Sequence, residues 1–155
     1  MAGELSETDK ARVHALIANC ELGGVFFHEQ SVRRHEETPE GMPADFSNAE
    51  IGIQFRLADD DFGVRLRADI QNTVGTAAVV VSGEYNLTGG YQPTRRDVMM
   101  FANEVAAMTI YPYLREGVST ATAKVLGEGV LLPIAPRGAI AFDIDDDPDV
   151  EITSA

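Results

Sequence analysis

Apolar and polar residues alternate in strict period two at Ile51, Ile53, Phe55 and Leu57, with Gly52, Gln54 and Arg56 between them. The same alternation recurs at Val64, Leu66, Ala68 and Ile70, interleaved with Arg65, Arg67 and Asp69, and an Asp59-Asp60-Asp61 turn joins the two runs. Successive strand side chains point to opposite faces, so this pattern predicts a hairpin buried on one side and wet on the other. A second turn at 72–75 leads into residues 76–87, where Ala77 to Val81 is apolar on both faces. Leu22 to Val32, with Val25, Phe26 and Phe27 adjacent, is likewise apolar on both sides for part of its length. Residues 35–48 between this run and the hairpin hold Pro39, Pro43, Gly41 and several acids, and read as a long connection. Four strands in an antiparallel meander are expected.

Helical spacing governs two other regions. Ser6 can cap a helix over 6–19, with Asp9 three residues on and Val13, Leu16, Ile17 and Cys20 on one face. After Gly89-Gly90, Thr94 is an N-cap candidate with Asp97 at the third helical position, and Val98, Phe101, Val105 and Met108 repeat at helical spacing. Pro112 removes a backbone donor and is expected to kink or break this helix. The pattern resumes in Leu114, Val118, Ala121 and Val125, until Gly127 and Gly129 stop it. The two segments would span roughly 45 Å, longer than a four-stranded sheet is wide, so part of the helix is expected to pack on a second subunit. Phe101, Met108, Tyr111, Pro112 and Tyr113 are assigned to helix shaping and oligomer packing. Val130 to Pro136 is apolar but broken by proline, hence extended. The expected fold is a single α+β domain over 1–155: a four-stranded antiparallel meander sheet with a long kinked helix on one face and a short N-terminal helix.

Composition narrows the function. The 155 residues carry a net charge of −13 with 45% hydrophobic positions, an ordinary globular balance without the basic face that phosphate neutralisation needs. No apolar run approaches the ~20 residues of a membrane span, and the polar start MAGELSETDK has no signal-peptide core, so a soluble cytoplasmic domain is expected. Six acids fall among the nine residues Asp143 to Glu151. They imitate alternate positions of an EF-hand loop, but Pro148 stands where Gly is needed and Ser154 where the bidentate Glu belongs, so 143–155 reads as a solvated, disordered tail. Cys20 with His14 or His28 suggests a thiol and its base only on paper; a lone thiol on an apolar face behaves as a small hydrophobe. His28-Glu29 and His35-Glu36 lack a second His at helical spacing, and Gly127-Glu128-Gly129 lacks the Lys of a phosphate loop. No metal, cofactor or catalytic set emerges; Asp97 near a helix start is the one acid on which an enzymatic alternative could be built.

What composition leaves over is apolar residues on the second face of two strands and in the segment after the helix. They suit either a subunit contact or a surface that receives extended polypeptide. The stretch Tyr111-Pro112-Tyr113-Leu114-Arg115-Glu116, followed some twenty residues later by Ile134-Ala135-Pro136, resembles the SecB family of protein-export chaperones, which has an aromatic-Pro-Tyr-x-Arg-Glu run in its long helix and an aliphatic-Ala-Pro run after it. The order of elements over 20–142 is similar too, and the N-terminal helix and YPY spelling look closer to SecB-like chaperones that serve toxin–antitoxin systems. The resemblance implies an ATP-independent holdase for unfolded or nascent chains or an antitoxin, a homotetramer built as a dimer of dimers, and apolar client grooves. Val25, Phe27, Phe46, Leu131, Leu132 and Ile134 are the expected groove residues. Two departures matter: only Arg137 to Phe142 stands where the family's second helix follows, and Val81 falls where the export chaperone has a Glu for the translocase motor.

Overall fold

In a computed structural model describing residues 4–144, the four strands form one antiparallel sheet in the order β1-β4-β3-β2. β2 (Ser47–Leu57), β3 (Asp61–Asn72) and β4 (Gly75–Leu87) are a meander, and β1 (Cys20–Arg34) lies along the outer side of β4. The 35–46 connection therefore carries the chain from one sheet edge to the other. It passes the β3–β4 turn, where His35 N donates to the Val74 carbonyl (2.8 Å) and Thr73 Oγ1 to the Ala44 carbonyl (3.3 Å). Asn72 Oδ1 shapes that turn by accepting from the amides of Val74 and Gly75, both at 2.9 Å.

The alternation works as its period demands. Phe62, Val64, Leu66, Ala68 and Ile70 of β3 lie in register with Tyr85, Gly83, Val81, Val79 and Ala77 of β4, and all face a helical layer in the buried core. Phe62 stacks on Tyr85 with centroids 4.9 Å apart, and Phe101 meets both rings edge-on. Burial pushes the Tyr85 hydroxyl up to about 12, with the nearby Cys20 adding to the shift.

The helical layer is α1 (Glu7–Ala18), α2 (Arg95–Phe101), a π-helical segment (Ala102–Ala106) and α3 (Ala107–Leu126). Ser6 caps α1 by accepting from Asp9 N (3.1 Å), and Val13 and Leu16 are buried. Ile17 stays 45% exposed, and Cys20 opens β1 instead of completing the helix face. The long helix runs on through Pro112: the irregularity lies upstream, at 102–106, not at the proline. Pro112 and Met108 both lie on the exposed side, where water can serve the carbonyl that the proline leaves unpartnered.

The helix lies along the strands, not across the sheet. Ile110 sits over Gly83 and Leu126 beside Gly75. That stretch of helix is roughly 24 Å long at 1.5 Å per residue, and the matching strand roughly 26 Å at 3.3 Å per residue. Strand length, not sheet width, is the proper measure, so helix length alone does not demand a second subunit. The overhang at α2 is met by α1. Thr94 and Asp97 form a reciprocal capping box, and Arg12 donates to both Asp97 carboxylate oxygens. In the reverse sense, Arg96 donates to both oxygens of Asp9 (2.6 and 3.2 Å). Burial alone would raise the Asp97 pKa, but the Arg12 and Thr94 hydrogen bonds outweigh it and hold the carboxyl below its ordinary range.

No helix among the described residues is long and apolar enough to cross a membrane. The acidic stretch expected to form a tail lies, from residue 145 onward, outside the described residues.

Asp97→Ala is expected to cost about 2–3 kcal/mol, since it removes a cap and leaves Arg12 without its partner. A carboxylate with a lowered native pKa stabilises above its unfolded value near 4 and loses that contribution as pH falls through the native value. Urea titrations of both proteins should therefore differ most near neutrality and converge in acid.

Candidate functional site on the two flanks of the long helix

Beyond Gly127, whose φ of +84° ends α3 in a left-handed turn, the chain reverses and runs back along the helix as an extended strap. One flank of the helix supplies partners for the strap's main chain. Thr122 Oγ1 accepts from Val130 N (2.8 Å), Arg115 Nε donates to the Leu132 carbonyl (3.0 Å), and Tyr111 Oη donates to the Pro133 carbonyl (2.5 Å). Farther along, Asn103 makes a two-way amide clasp with Phe142, donating to its carbonyl (2.9 Å) and accepting from its N–H (2.7 Å). Burial raises the Tyr111 pKa, the Arg115 charge opposing it in part, so the phenol stays a donor at neutral pH. Arg115, for which the sequence suggested no partner, and Asn103 and Thr122, which it did not single out, carry this site. Arg115 and Thr122, seven residues apart, share one helical stripe, and that was the available signal; Asn103 comes into line with them only through the π-helical turn.

The strap divides the expected groove residues. Leu132 is 1% exposed and packs in the core, so it is not a client-facing residue: the backbone bonds to Arg115 and Tyr111 turn it inward. Leu131 and Ile134 face outward at 72% and 83% exposure.

The opposite flank meets β1. Val25 and Phe27 pair with Gly83 and Val81 and so share the helix-facing side. Phe27 lies against Gly117, where an added Cβ would stand 2.5 Å from the ring, and Gln30 Nε2 donates to the Gly117 carbonyl. The absent side chain is what lets edge strand and helix approach here. Phe27 is nonetheless 40% exposed, and Leu22 and Tyr113 are 46% and 47% exposed. Residues 115 and 117 are about 200° apart around a helix, so β1 and the strap lie on opposite flanks of α3. Val25 and Phe27 are therefore not brought into one groove with Leu131 and Ile134. Phe46, half-buried, sits beyond both, near the β3–β4 turn.

The assigned packing residues separate in the same way. Phe101 belongs to the core and Tyr111 to the strap clasp, whereas Met108, Pro112 and Tyr113 are exposed. Val81, which the resemblance sets where the export chaperone has its Glu, is buried under the helix. Asp97 is committed to its cap and Arg12, with a side chain 3% exposed, and offers no acid to a substrate. Burial raises the Cys20 pKa, which keeps the thiol protonated at neutral pH, and no cluster of metal-ligating side chains occurs among the described residues.

No family model matches the chain. The SecB-like chaperone SmegB of Mycolicibacterium smegmatis is 24% identical over 128 residues, spanning 83% of this chain and 84% of its own length. Among solved structures, the Mycobacterium tuberculosis Rv1957 SecB-like chaperone, in complex with a ChAD peptide from the Rv1956 HigA1 antitoxin, aligns with a TM-score of 0.67 at 18% identity. It covers 81% of this chain and 98% of its own. The chain is similar to SecB-like chaperones. Its SecB-like fold is the expected one, a four-stranded antiparallel sheet with a long helix and a short N-terminal helix.

Leu132→Asp is expected to destabilise this SecB-like chain by roughly 3–5 kcal/mol, because it loses core contacts and buries a charge. Leu131→Asp, one residue away and outward, should stay within about 0.5 kcal/mol of the parent. Thermal unfolding of the two variants side by side reads the difference.

Proposed function

We propose that this SecB-like chain is an ATP-independent chaperone that holds extended apolar segments of other polypeptides, an antitoxin among its partners, as a homotetramer in the cytoplasm. The observation that carries the reading is the exposure of large apolar side chains on both flanks of one helix, Leu22, Phe27 and Tyr113 on one side and Leu131 and Ile134 on the other. Apolar area of this kind is retained in water at a free-energy cost unless something covers it. A client's apolar side chains would gain about 25 cal/mol per Å2 on covering it, and the edges of β1 and β2 leave backbone groups for strand-like pairing.

The antitoxin-peptide complex of the Rv1957 chaperone also favours a narrower reading, a binding partner dedicated to a single antitoxin. Aggregation assays with several unrelated thermally unfolding clients separate the two: a holdase suppresses all of them without ATP, a dedicated partner none.

Ile134→Asp should weaken client binding about tenfold while leaving the melting temperature unchanged, since the side chain is outward and its loss removes roughly one covered aliphatic group. Phe27→Asp tests the other flank. If Phe27→Asp breaks the assembly and spares client binding, the β1 flank is a subunit contact. Light scattering of the parent at micromolar concentration should give a multiple of 16.7 kDa; a monomer removes the tetramer from the proposal.

A further inference from the structure

The sheet face turned away from the helices is polar by design of its alternation, yet one row across it stands apart. Phe26 of β1, Ser82 of β4, Arg65 of β3 and Gln54 of β2 are directly in register, so these positions cross the open face in a single row, with the Phe26 ring leaning along β1 over Gly24. Phe26 is 52% exposed. A bulge in β1 between Phe27 and Glu29 inserts His28, whose Nε2 lies 2.7 Å from Ser82 Oγ and whose Nδ1 lies 3.4 Å from an Arg65 nitrogen. A cavity of about 370 Å3 opens beside them with Val80 in its lining.

The neighbouring arginines are neutralised. Arg56 pairs with Asp61 and Glu84, and Arg67 with Asp69 and Glu29. Arg65, between them, has no carboxylate partner among the described residues, and its one hydrogen-bond contact is the His28 ring. Gln54, the next residue in the row, has no side-chain partner there either. In a chain of net charge −13, an arginine left without an acid at mid-sheet is a site of unmet charge. An exposed aromatic in the same row adds the apolar half of a recognition surface, and arginine with aromatics is the composition of interface hot spots.

We propose that this row is a second docking surface, distinct from the helix flanks, for an extended partner polypeptide that presents an apolar side chain to Phe26 and an Asp or Glu to Arg65. Phe26 and Arg65 stand two strands apart, about 10 Å, which an extended chain in the polyproline II conformation, rising about 3.1 Å per residue with three residues per turn, covers in three residues with both side chains on the same side. The ligand pattern is thus an apolar residue followed three positions later by an acid. Gln54 can serve either a carboxylate or a main-chain group at the far end of the row. A small anion alone engages Arg65 and leaves Phe26 without a role, so the geometry favours a peptide.

The test is an NMR titration of the full chain with a Ser/Gly peptide carrying one Leu and, three positions on, one Glu. Shifts are expected at the amides of Phe26, His28, Gln54, Arg65 and Ser82, with affinity falling about tenfold when the peptide's Glu is replaced by Gln. Arg65→Gln should give the same loss, and Phe26→Ser a loss seen equally with the Glu and Gln peptides. Both positions are on the open face, and unchanged thermal unfolding verifies that the variants are folded. Three results each overturn the proposal. One is an Arg65→Gln variant that binds like the parent, with shifts confined to the helix flanks. Another is inorganic phosphate reproducing the shifts and displacing the peptide while Phe26 stays indifferent to it. The third is a change of oligomeric mass in Arg65→Gln, which makes the row a contact between copies of the chain.

Discussion

An extended segment that belongs to no sheet carries backbone N–H and C=O groups with no regular partner, and burying them unmet costs about as much as losing the hydrogen bonds outright. Residues 130–142 are such a segment, and the helical layer is organised around satisfying them. Thr122, Arg115, Tyr111 and Asn103 meet the strap one after another along the long helix. Because these bonds go to main chain, they fix the strap's path and leave its side chains to sort by direction. Leu132 and Phe142 fall into the core, Phe142 edge-on against Phe55 at 5.4 Å, and Leu131 and Ile134 fall outward. The apolar strip on this flank is therefore a consequence of how the strap is held.

The π-helical segment belongs to the same constraint. In a regular α-helix, residues nine apart point in nearly opposite directions, so Phe101 and Ile110 could not both enter the core. One extra residue in a turn rotates everything after it by about 100°, enough to bring Ile110, Leu114 and Val118 back over the sheet. It also places Asn103 where it meets Phe142. The strain of a wide turn is offset by a buried clasp and a continuous core.

That turn also marks where the sequence stopped being legible. Period-two alternation identified the β2–β3 hairpin, and Ser6 and Thr94 announced both helix starts, because those signals are local. The order of the strands, with β1 beside β4, is set by where the 35–46 connection crosses, which no short pattern encodes. Extrapolating Val98, Phe101 and Val105 at constant helical phase put Met108 on the packing face; the π turn shifts the phase, and Met108 is 39% exposed. Pro112 was the visible irregularity and the wrong one, since a proline on the wet side is tolerated. Leu132 read like Leu131 and Ile134 because apolarity in a proline-broken run says nothing about direction. What distinguished them was a pair of donors, Arg115 and Tyr111, some twenty residues upstream.

The two sides of the sheet answer different physical demands. On the helix side, exposure is apolar, and charge is spent on docking: Arg12 with Asp97 and Arg96 with Asp9 tie α1 to the start of the long helix and hold no surface charge free for a ligand. On the open side, paired charges cover the sheet and keep it wet, with Glu84 lying over Gly63 and taken up by Arg56. An acidic chain would be expected to cover every arginine there, since acids outnumber bases two to one. Arg65 is left out because its row offers it Ser82 and Gln54 on either side and a histidine above, none of which carries a negative charge at neutral pH. The uncovered surface on the helix side is thus apolar area, which places few demands on the sequence of anything that covers it. On the open side it is one charge in register with one exposed ring, which places two.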